Sequence, residues 1–374
     1  MSSHQPSAIS HQPRAQGPGA GGRGETDPRH PTPGPRTGGA PVRVGVVGVG
    51  HLGQHHARVF AGLPGVVLAG VADVDPARRA DVAARFGVPG FADHRALLGG
   101  VDAASVAVPT RHHAAVVADL LAGGADVLVE KPIADSVDEA DAMVARAAAA
   151  GRILQVGHIE RFNGAVRAMQ RLVDGPGFIE VHRLSPYAGR GTDVDVILDL
   201  MIHDIDIVLS LVRSPILEMH AVGVPVLTDQ VDIANARLQF ASGCVANLTA
   251  SRVSATRMRK IRLFQRDAYL SVDYAAQEIA LYRRLPPDPA GGDGGGGGRL
   301  PRIVREDVPI ERVEPLQAEL ESFVACVRER RRPVVSGEDG RDALRVAEEI
   351  RRRLEEHLAL AVSPCAPGGG PAAG

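Results

Sequence analysis

Tryptophan is missing from this chain, and the other aromatics are sparse: eight Phe and four Tyr in 374 residues. A carbohydrate site built mainly on stacked rings therefore has little to draw on. Cysteine is scarce too. Cys244, Cys326 and Cys365 stand far apart, which gives neither a disulfide framework nor a metal-ligand spacing and fits a reducing compartment. Charge of one sign is not in excess. The formal net charge is −2, so the whole-chain field favours neither nucleic acid nor an anionic membrane. No apolar run approaches the ~20 residues of a membrane helix. The N-terminus, MSSHQPSAISHQPRAQ, lacks the apolar core of a signal peptide. These absences predict a cytoplasmic protein with no metal site.

What remains is ordinary globular composition, 44% apolar. At roughly 100–200 residues per domain the length predicts two domains. Residues 1–40 and 363–374 are rich in Pro, Gly, Ser and Ala, cannot offset the entropy of ordering, and read as disordered tails. PPDPAGGDGGGGGRLP, 286–301, reads as a flexible loop.

Between 41 and 158, short apolar runs alternate with helical segments: VRVGVVGVG, LGQHHARVFAGL, VVLAGVADVD, PARRADVAARFG, ASVAVPT, HHAAVVADLLAGG, DVLVEKP, SVDEADAMVARAAAAG and RILQVGH. Ser136 and Glu139 form a capping-box pattern. Such alternation predicts a doubly wound parallel sheet of α/β type. Residues 159–362 differ. Helices are expected at 163–173, 194–212, 316–332 and 340–360, with a strand-rich stretch between about 216 and 284. VDIANARLQF and CVANLTASRV read as a hairpin across ASG. The expectation is an α+β domain on one large open, mostly antiparallel sheet.

Gly48-Val49-Gly50-His51-Leu52-Gly53 is G-x-G-x-x-G directly after an apolar run and at the start of a helix. Glycines here permit a tight turn and close approach of a pyrophosphate to backbone N–H groups. Asp73 follows Gly53 by 20 residues, the place of a ribose-binding carboxylate. A carboxylate repels a 2′-phosphate, so NAD is expected over NADP. Arg78 and Arg79, beside Asp75 and Asp81, read as a solvated face.

DVLVEKP ends a strand in Glu130-Lys131-Pro132, and ligands of doubly wound sheets bind beyond strand carboxyl ends. A lysine partly desolvated there exchanges protons more readily; on spacing alone, a surface lysine before a turn proline is the favoured reading. DLMIHDIDIVLSL, 199–211, sets Asp199, His203 and Asp206 on one face of an apolar helix. That is either a satisfied core histidine or the lining of a cleft.

GVGHLG, AVPTRHH, LVEKPIA, VGHIERFN and DLMIHDID, in this order, resemble the glucose–fructose oxidoreductase / inositol dehydrogenase (Gfo/Idh/MocA) family over residues 42–360. The resemblance implies NAD(P)-dependent oxidation of a sugar or cyclitol hydroxyl. It also implies a homodimer or homotetramer built through the C-terminal sheet. It assigns Lys131 to the family's E-K-P lysine and Asp199 and His203 to its D-x-x-x-H pair, as catalytic residues. Gly48, Gly50, His51, Leu52, Gly53, Asp73, Pro109, His113, Glu130 and Lys131 are then the cofactor-binding set. Val108 replaces the usual Thr of T-P-x-x-x-H. On this assignment His203 is the base or shares that role with Lys131, and Asp199 orients its imidazole. Within the family, VGHIERFN, EVHRLSPYAGRGTDVDVILDLMIHDIDIV and AVGVPVLTDQVDIANARLQF are most similar to the UDP-N-acetylglucosamine 3-dehydrogenases. Those enzymes supply a PLP-dependent aminotransferase of lipid A synthesis. A sugar nucleotide calls for arginine and amide donors, and Arg161, Asn163, Arg183, Tyr187, Arg190 and Asp206 are the candidates. A cyclitol or free-sugar dehydrogenase, or an idle NAD-binding regulator, remains compatible with the same scaffold.

Overall fold

The computed structural model describes residues 39–187, 194–286 and 301–362. Most of the three low-complexity stretches, and Arg190, lie outside those residues.

VRVGVV forms β1 (Val42–Val47), buried at five of its six positions, as a central parallel strand requires. It is joined by β2 (Val66–Ala72), β3 (Gly90–Phe91), β4 (Ala103–Val106), β5 (Asp126–Glu130) and β6 (Leu154–Gly157) in a six-stranded sheet of order 3-2-1-4-5-6. All of its pairings are parallel. The order reverses between β1 and β4, and a crevice opens there beyond the strand ends. Four α-helices carry four of the five connections, α1 (Gly53–Gly62), α2 (Pro76–Phe86), α3 (His113–Ala122) and α4 (Val137–Ala149), and a 3-10 turn, His94–Leu97, lies between β3 and β4. Their ends follow local chemistry. The Asp75 carboxylate accepts from the N–H groups of Ala77 and Arg78, and Gly87 closes α2 at φ 65°. At α4, Ser136 accepts from the Glu139 N–H, while the Glu139 carboxylate takes the N–H of Asp135.

The second sheet has eight strands: β7 (Phe178–Leu184), β8 (Ile216–Val224), β9 (Ile233–Phe240), β10 (Val245–Ser251), β11 (Met258–Gln265), β12 (Ala268–Asp273), β13 (Glu278–Leu285) and β14 (Arg302–Asp307), in the order 14-13-12-11-7-10-9-8. Only β7 and β10 pair in parallel. The expected hairpin is β9–β10, and its turn contains Gly243 at φ 85°. Burial alternates along each strand. One face, including Ala234, Ala236, Leu238 and Phe240, packs under α5 (Gly164–Leu172), α6 (Ile202–Leu211) and one stripe of α8 (Gly337–Val362). On the other face Phe178, Phe264, Tyr269 and Tyr282 make successive ring contacts at 5.8, 4.8 and 5.6 Å, and Leu217, Val222 and Val224 are exposed.

The structure amends the expected division of the chain. α7 (Pro315–Glu329) does not belong to the second unit. Its stripe of Leu320, Phe323, Val324 and Val327 packs with Val42, Phe60 and Ile153 against the first sheet. α8 spans both units. Leu344 joins the first core, while Val346, Ala347, Ile350 and Leu354 join the second. An amphipathic helix goes to whichever apolar surface remains uncovered, and sequence distance does not decide that. Among the described residues no helix is long and apolar enough to cross a membrane.

Candidate active site

The glycine turn closes where side chains cannot fit. A Cβ on Gly53 would stand 1.8 Å from Gly48 O. One on Gly48, whose φ is 81°, would stand 2.7 Å from Ala107 O. Asp73 Oδ2 accepts from the Val49 N–H at 2.8 Å and Oδ1 from the Asp75 N–H at 2.8 Å. The carboxylate is thus tied to the turn and retains lone pairs for a ribose hydroxyl. Arg78 pairs with Asp75 at 3.5 Å, and Arg79 Nη1 donates to the Asp73 carbonyl at 2.7 Å. Arg79 is therefore partly committed inward rather than free on a solvated face. His51, Leu52 and Pro109 are exposed beside the turn and beyond β4. This cradle fits a dinucleotide with an unmodified ribose.

His113 is not at the crevice surface. Its ring is buried, with Nε2 2.9 Å from Val108 O and Nδ1 3.0 Å from Pro132 O. It ties the segment after β4 to the one after β5, so it shapes the site from behind. Burial lowers its pKa despite those carbonyls.

Lys131 follows the end of β5, before a cis peptide bond to Pro132. Its Nζ donates to the backbone carbonyl of Asp199 at 2.7 Å and lies 3.6 Å from Asp199 Oδ1. The segment expected to be one helix from 194 to 212 enters through a π-helical turn, Ile197–Met201, in which the Ile202 N–H bonds to Ile197 O. π turns recur at functional positions. Here the turn alters the expected relation of Asp199 to His203: the Asp199 carboxylate faces Lys131, whereas His203 Nδ1 is buried without a hydrogen-bond partner. Burial, then the Lys131 charge, then Arg183 hold the His203 pKa well below its ordinary value. Burial also lowers Lys131, opposed by Asp199 and Glu130. A neutral imidazole from α6 and a partly desolvated ammonium from the β5 end thus act on one another across the junction of the two units.

Several candidate substrate residues face inward. Arg183 is 3% exposed. Its Nε and Nη2 donate to Asp204 at 2.7 and 2.9 Å, and Nη1 to Glu160 at 2.9 Å. The cluster neutralises a guanidinium that would otherwise be costly under the sheet, and commits three of the five Arg183 N–H donors to buried carboxylates. Asn163 caps α5 by accepting from the Ala165 N–H, and donates to Tyr274 O. Arg161 Nη1 donates to Asp206 at 3.1 Å and Nη2 to Val334 O. Burial pushes Asp206 up to about 7 even beside that guanidinium. Tyr187 alone of the described set is substantially exposed, at 44%.

The sequence reading passed over two groups. His158 is 0% exposed, 6.0 Å centroid-to-centroid from His203, with both ring nitrogens unpartnered and its pKa lowered to about 3 by burial, then by Arg161 and Lys131. Behind Lys131, Ser105 Oγ lies 2.7 Å from His56 Nδ1, and His56 Nε2 lies 3.1 Å from Glu130 Oε1. Glu319 of α7 is fully buried without a hydrogen-bond partner, its pKa raised by burial and then by Glu130. Glu130 is therefore held from within, and a Cβ on Gly157 would stand 3.0 Å from its Oε2. Of His158, His56, Ser105 and Glu319, only His158 stands inside a sequence motif, VGHIERFN.

Residues 42–158 match the family model described as "Oxidoreductase family, NAD-binding Rossmann fold", and residues 157–270 match the GFO/IDH/MocA C-terminal domain. The UDP-N-acetylglucosamine 3-dehydrogenase of Acidithiobacillus ferrooxidans is 37% identical over 321 residues, 85% of this chain and 98% of that protein. Its solved structure aligns with a TM-score of 0.77 over 85% of this chain and 99% of that one, at 36% identity. The scyllo-inositol 2-dehydrogenase (NAD(+)) of Bacillus subtilis is 28% identical over 57% of this chain and 68% of that one. The six-stranded order, the glycine cradle and these matches agree: the chain belongs to the Gfo/Idh/MocA oxidoreductase family, with an NAD-binding Rossmann domain at its N-terminal end.

Proposed function

We propose that this enzyme oxidises the 3-hydroxyl of a UDP-N-acetyl-hexosamine, UDP-N-acetylglucosamine, with NAD⁺ as the preferred acceptor. The observation that carries the reading is the 37% identity extending over 98% of the Acidithiobacillus ferrooxidans UDP-N-acetylglucosamine 3-dehydrogenase. The glycine turn and Asp73 hold the dinucleotide, with Pro109, Glu130 and Lys131 near its reactive end. When bound, the nicotinamide accepts the hydride. His203 accepts the hydroxyl proton, since burial and the Lys131 charge keep its imidazole neutral and able to act as a base. Lys131 holds the same oxygen and stabilises it as negative charge develops. Asp199 anchors Lys131 through its carbonyl and carboxylate. Tyr187 and Arg190 are the remaining candidates for the nucleotide. The 3-keto product then meets a PLP-dependent aminotransferase in the cytoplasm, giving a 2,3-diamino sugar for lipid A. The open aromatic face of the eight-stranded sheet is the homo-oligomer surface in this reading.

The test offers UDP-N-acetylglucosamine, N-acetylglucosamine and myo-inositol separately with NAD⁺ and follows the near-ultraviolet absorbance of reduced cofactor. Turnover with the sugar nucleotide alone is expected. Turnover with inositol alone would replace this reading by a cyclitol dehydrogenase, and binding of NAD⁺ with no turnover would favour a regulator.

A further inference from the structure

His203 stands on α6, partly exposed, where the Lys131 charge acts on it. Once substrate and dinucleotide cover it, a proton taken by His203 needs another way out. Two polar networks lead away. One, through Glu130, His56 and Ser105, is closed: His56 is 1% exposed, and Ser105 and Glu319 are 0% exposed. The other leads through the turn after β6 and α6 toward the start of α8.

That second network is unusual in its pairing. Among the described residues, five buried side-chain atoms on four residues have no hydrogen-bond partner here: both ring nitrogens of His158, Arg161 Nε, His203 Nδ1 and Asp206 Oδ2. Buried polar groups are ordinarily hydrogen-bonded, and such a cluster calls for internal water. The residues are neighbours. His158 meets His203 edge-on at 6.0 Å, and Arg161 bonds Asp206 at 3.1 Å. At the start of α8 the Ser336 hydroxyl donates to Asp339 Oδ2 at 2.8 Å. Asp339 is 36% exposed, and its charge acts on both His158 and Asp206. The charged groups facing His158 are Arg161, Lys131, Glu130 and Asp339.

We propose that His158, with Arg161, Asp206 and Asp339, lines a water-bearing proton exit from His203 to solvent at the start of α8. The proposal rests on His203 being the base. His203 gives the proton it took from the hydroxyl to internal water. His158 takes a proton on one ring nitrogen as it gives one from the other, and Asp206 and Asp339 pass it outward. No bond other than N–H and O–H forms or breaks on this path, and the hydroxyl's electron pair stays with the new carbonyl. His158 touches no reacting atom; it acts through His203.

The test is a single turnover of the full-length enzyme with NAD⁺ and UDP-N-acetylglucosamine in weak buffer, read at once by reduced-cofactor absorbance and a pH indicator. In the parent enzyme the two signals should rise together. In His158→Gln, proton release should lag cofactor reduction tenfold or more, and added imidazole should remove the lag. A high-resolution structure should also show ordered water against His158 and Asp206. A dry cluster, or both signals slowed equally without imidazole rescue, would overturn the proposal. So would a variant with no lag. His203→Gln separates the premise: if its cofactor reduction keeps the normal rate, the base assignment fails whatever His158 does.

Discussion

Lys131 reaches across the junction of the two units and donates to the main-chain carbonyl of Asp199 at 2.7 Å, while the carboxylate of the same residue lies farther away, at 3.6 Å. The nearer partner cannot be removed by changing a side chain. Asp199→Asn should therefore lower kcat by only about tenfold, whereas Lys131→Met should lower it by about 10²–10⁴. Steady-state rates with unchanged NAD⁺ affinity, measured by titration, check both. Equal losses in the two variants would show that the carboxylate, not the carbonyl, sets the lysine.

Arg183 is committed to Asp204 and Glu160 beneath the sheet. Removing it strands two buried carboxylates, so Arg183→Met should destabilise the fold by about 3–5 kcal/mol. The loss belongs in urea denaturation. A stable variant with a raised KM for the sugar nucleotide would restore Arg183 as a substrate contact.

Asp73 accepts from the Val49 N–H, so one carboxylate shapes the glycine turn and sets the ribose preference. Asp73→Ser should weaken NAD⁺ binding by about 10–100-fold, the scale of one or two charge-assisted hydrogen bonds, and narrow its advantage over NADP⁺. Isothermal titration with both dinucleotides measures this. An unaltered ratio would place the discrimination elsewhere.

The pKa of His158 is lowered to about 3 in the fold, from an ordinary 6.5. A histidine with a depressed folded pKa contributes stability that is complete above pH 6.5 and is lost as pH falls toward 3, because the unfolded chain takes up the proton first. At pH 5 that loss is about 2 kcal/mol. Relative to its own value at pH 8, His158→Gln should lose less stability at pH 5 than the parent. Denaturant midpoints at the two pH values give the comparison; parallel losses would mean that His158 does not carry the effect.

α7 belongs to the first sheet's core, where Phe323 is fully buried beside Val42 and Phe60. Phe323→Ala should cost about 3–5 kcal/mol and should be felt first in the dinucleotide domain. Hydrogen exchange would show weakened protection in β1 and α1. Loss confined to the eight-stranded sheet would contradict that packing.

Much of this molecule is written locally. VRVGVVGVG can be little other than a buried strand running into a glycine turn, because its β-branched run and the Cβ-free positions at Gly48 and Gly53 leave few alternatives. Asp75-Pro76 and Ser136 start helices through their own backbone bonds. The hairpin of β9 and β10 is legible from alternation and Gly243. These signals act over a few residues, so the alternating order of the first unit, its cofactor loop and the strand-rich second unit follow from the chain alone.

What the chain could not announce were relations between distant segments. Arg183 looks like an available cation until the fold brings Asp204 and Glu160 to it. Asp199 and His203 look paired on an ordinary helix until a π turn directs one to Lys131. His158 becomes notable only where α6 and α8 close over it. Hydrophobic period and turn chemistry are properties of neighbours in sequence; desolvation and charge pairing depend on which groups are enclosed together, and only the packed tertiary structure decides that.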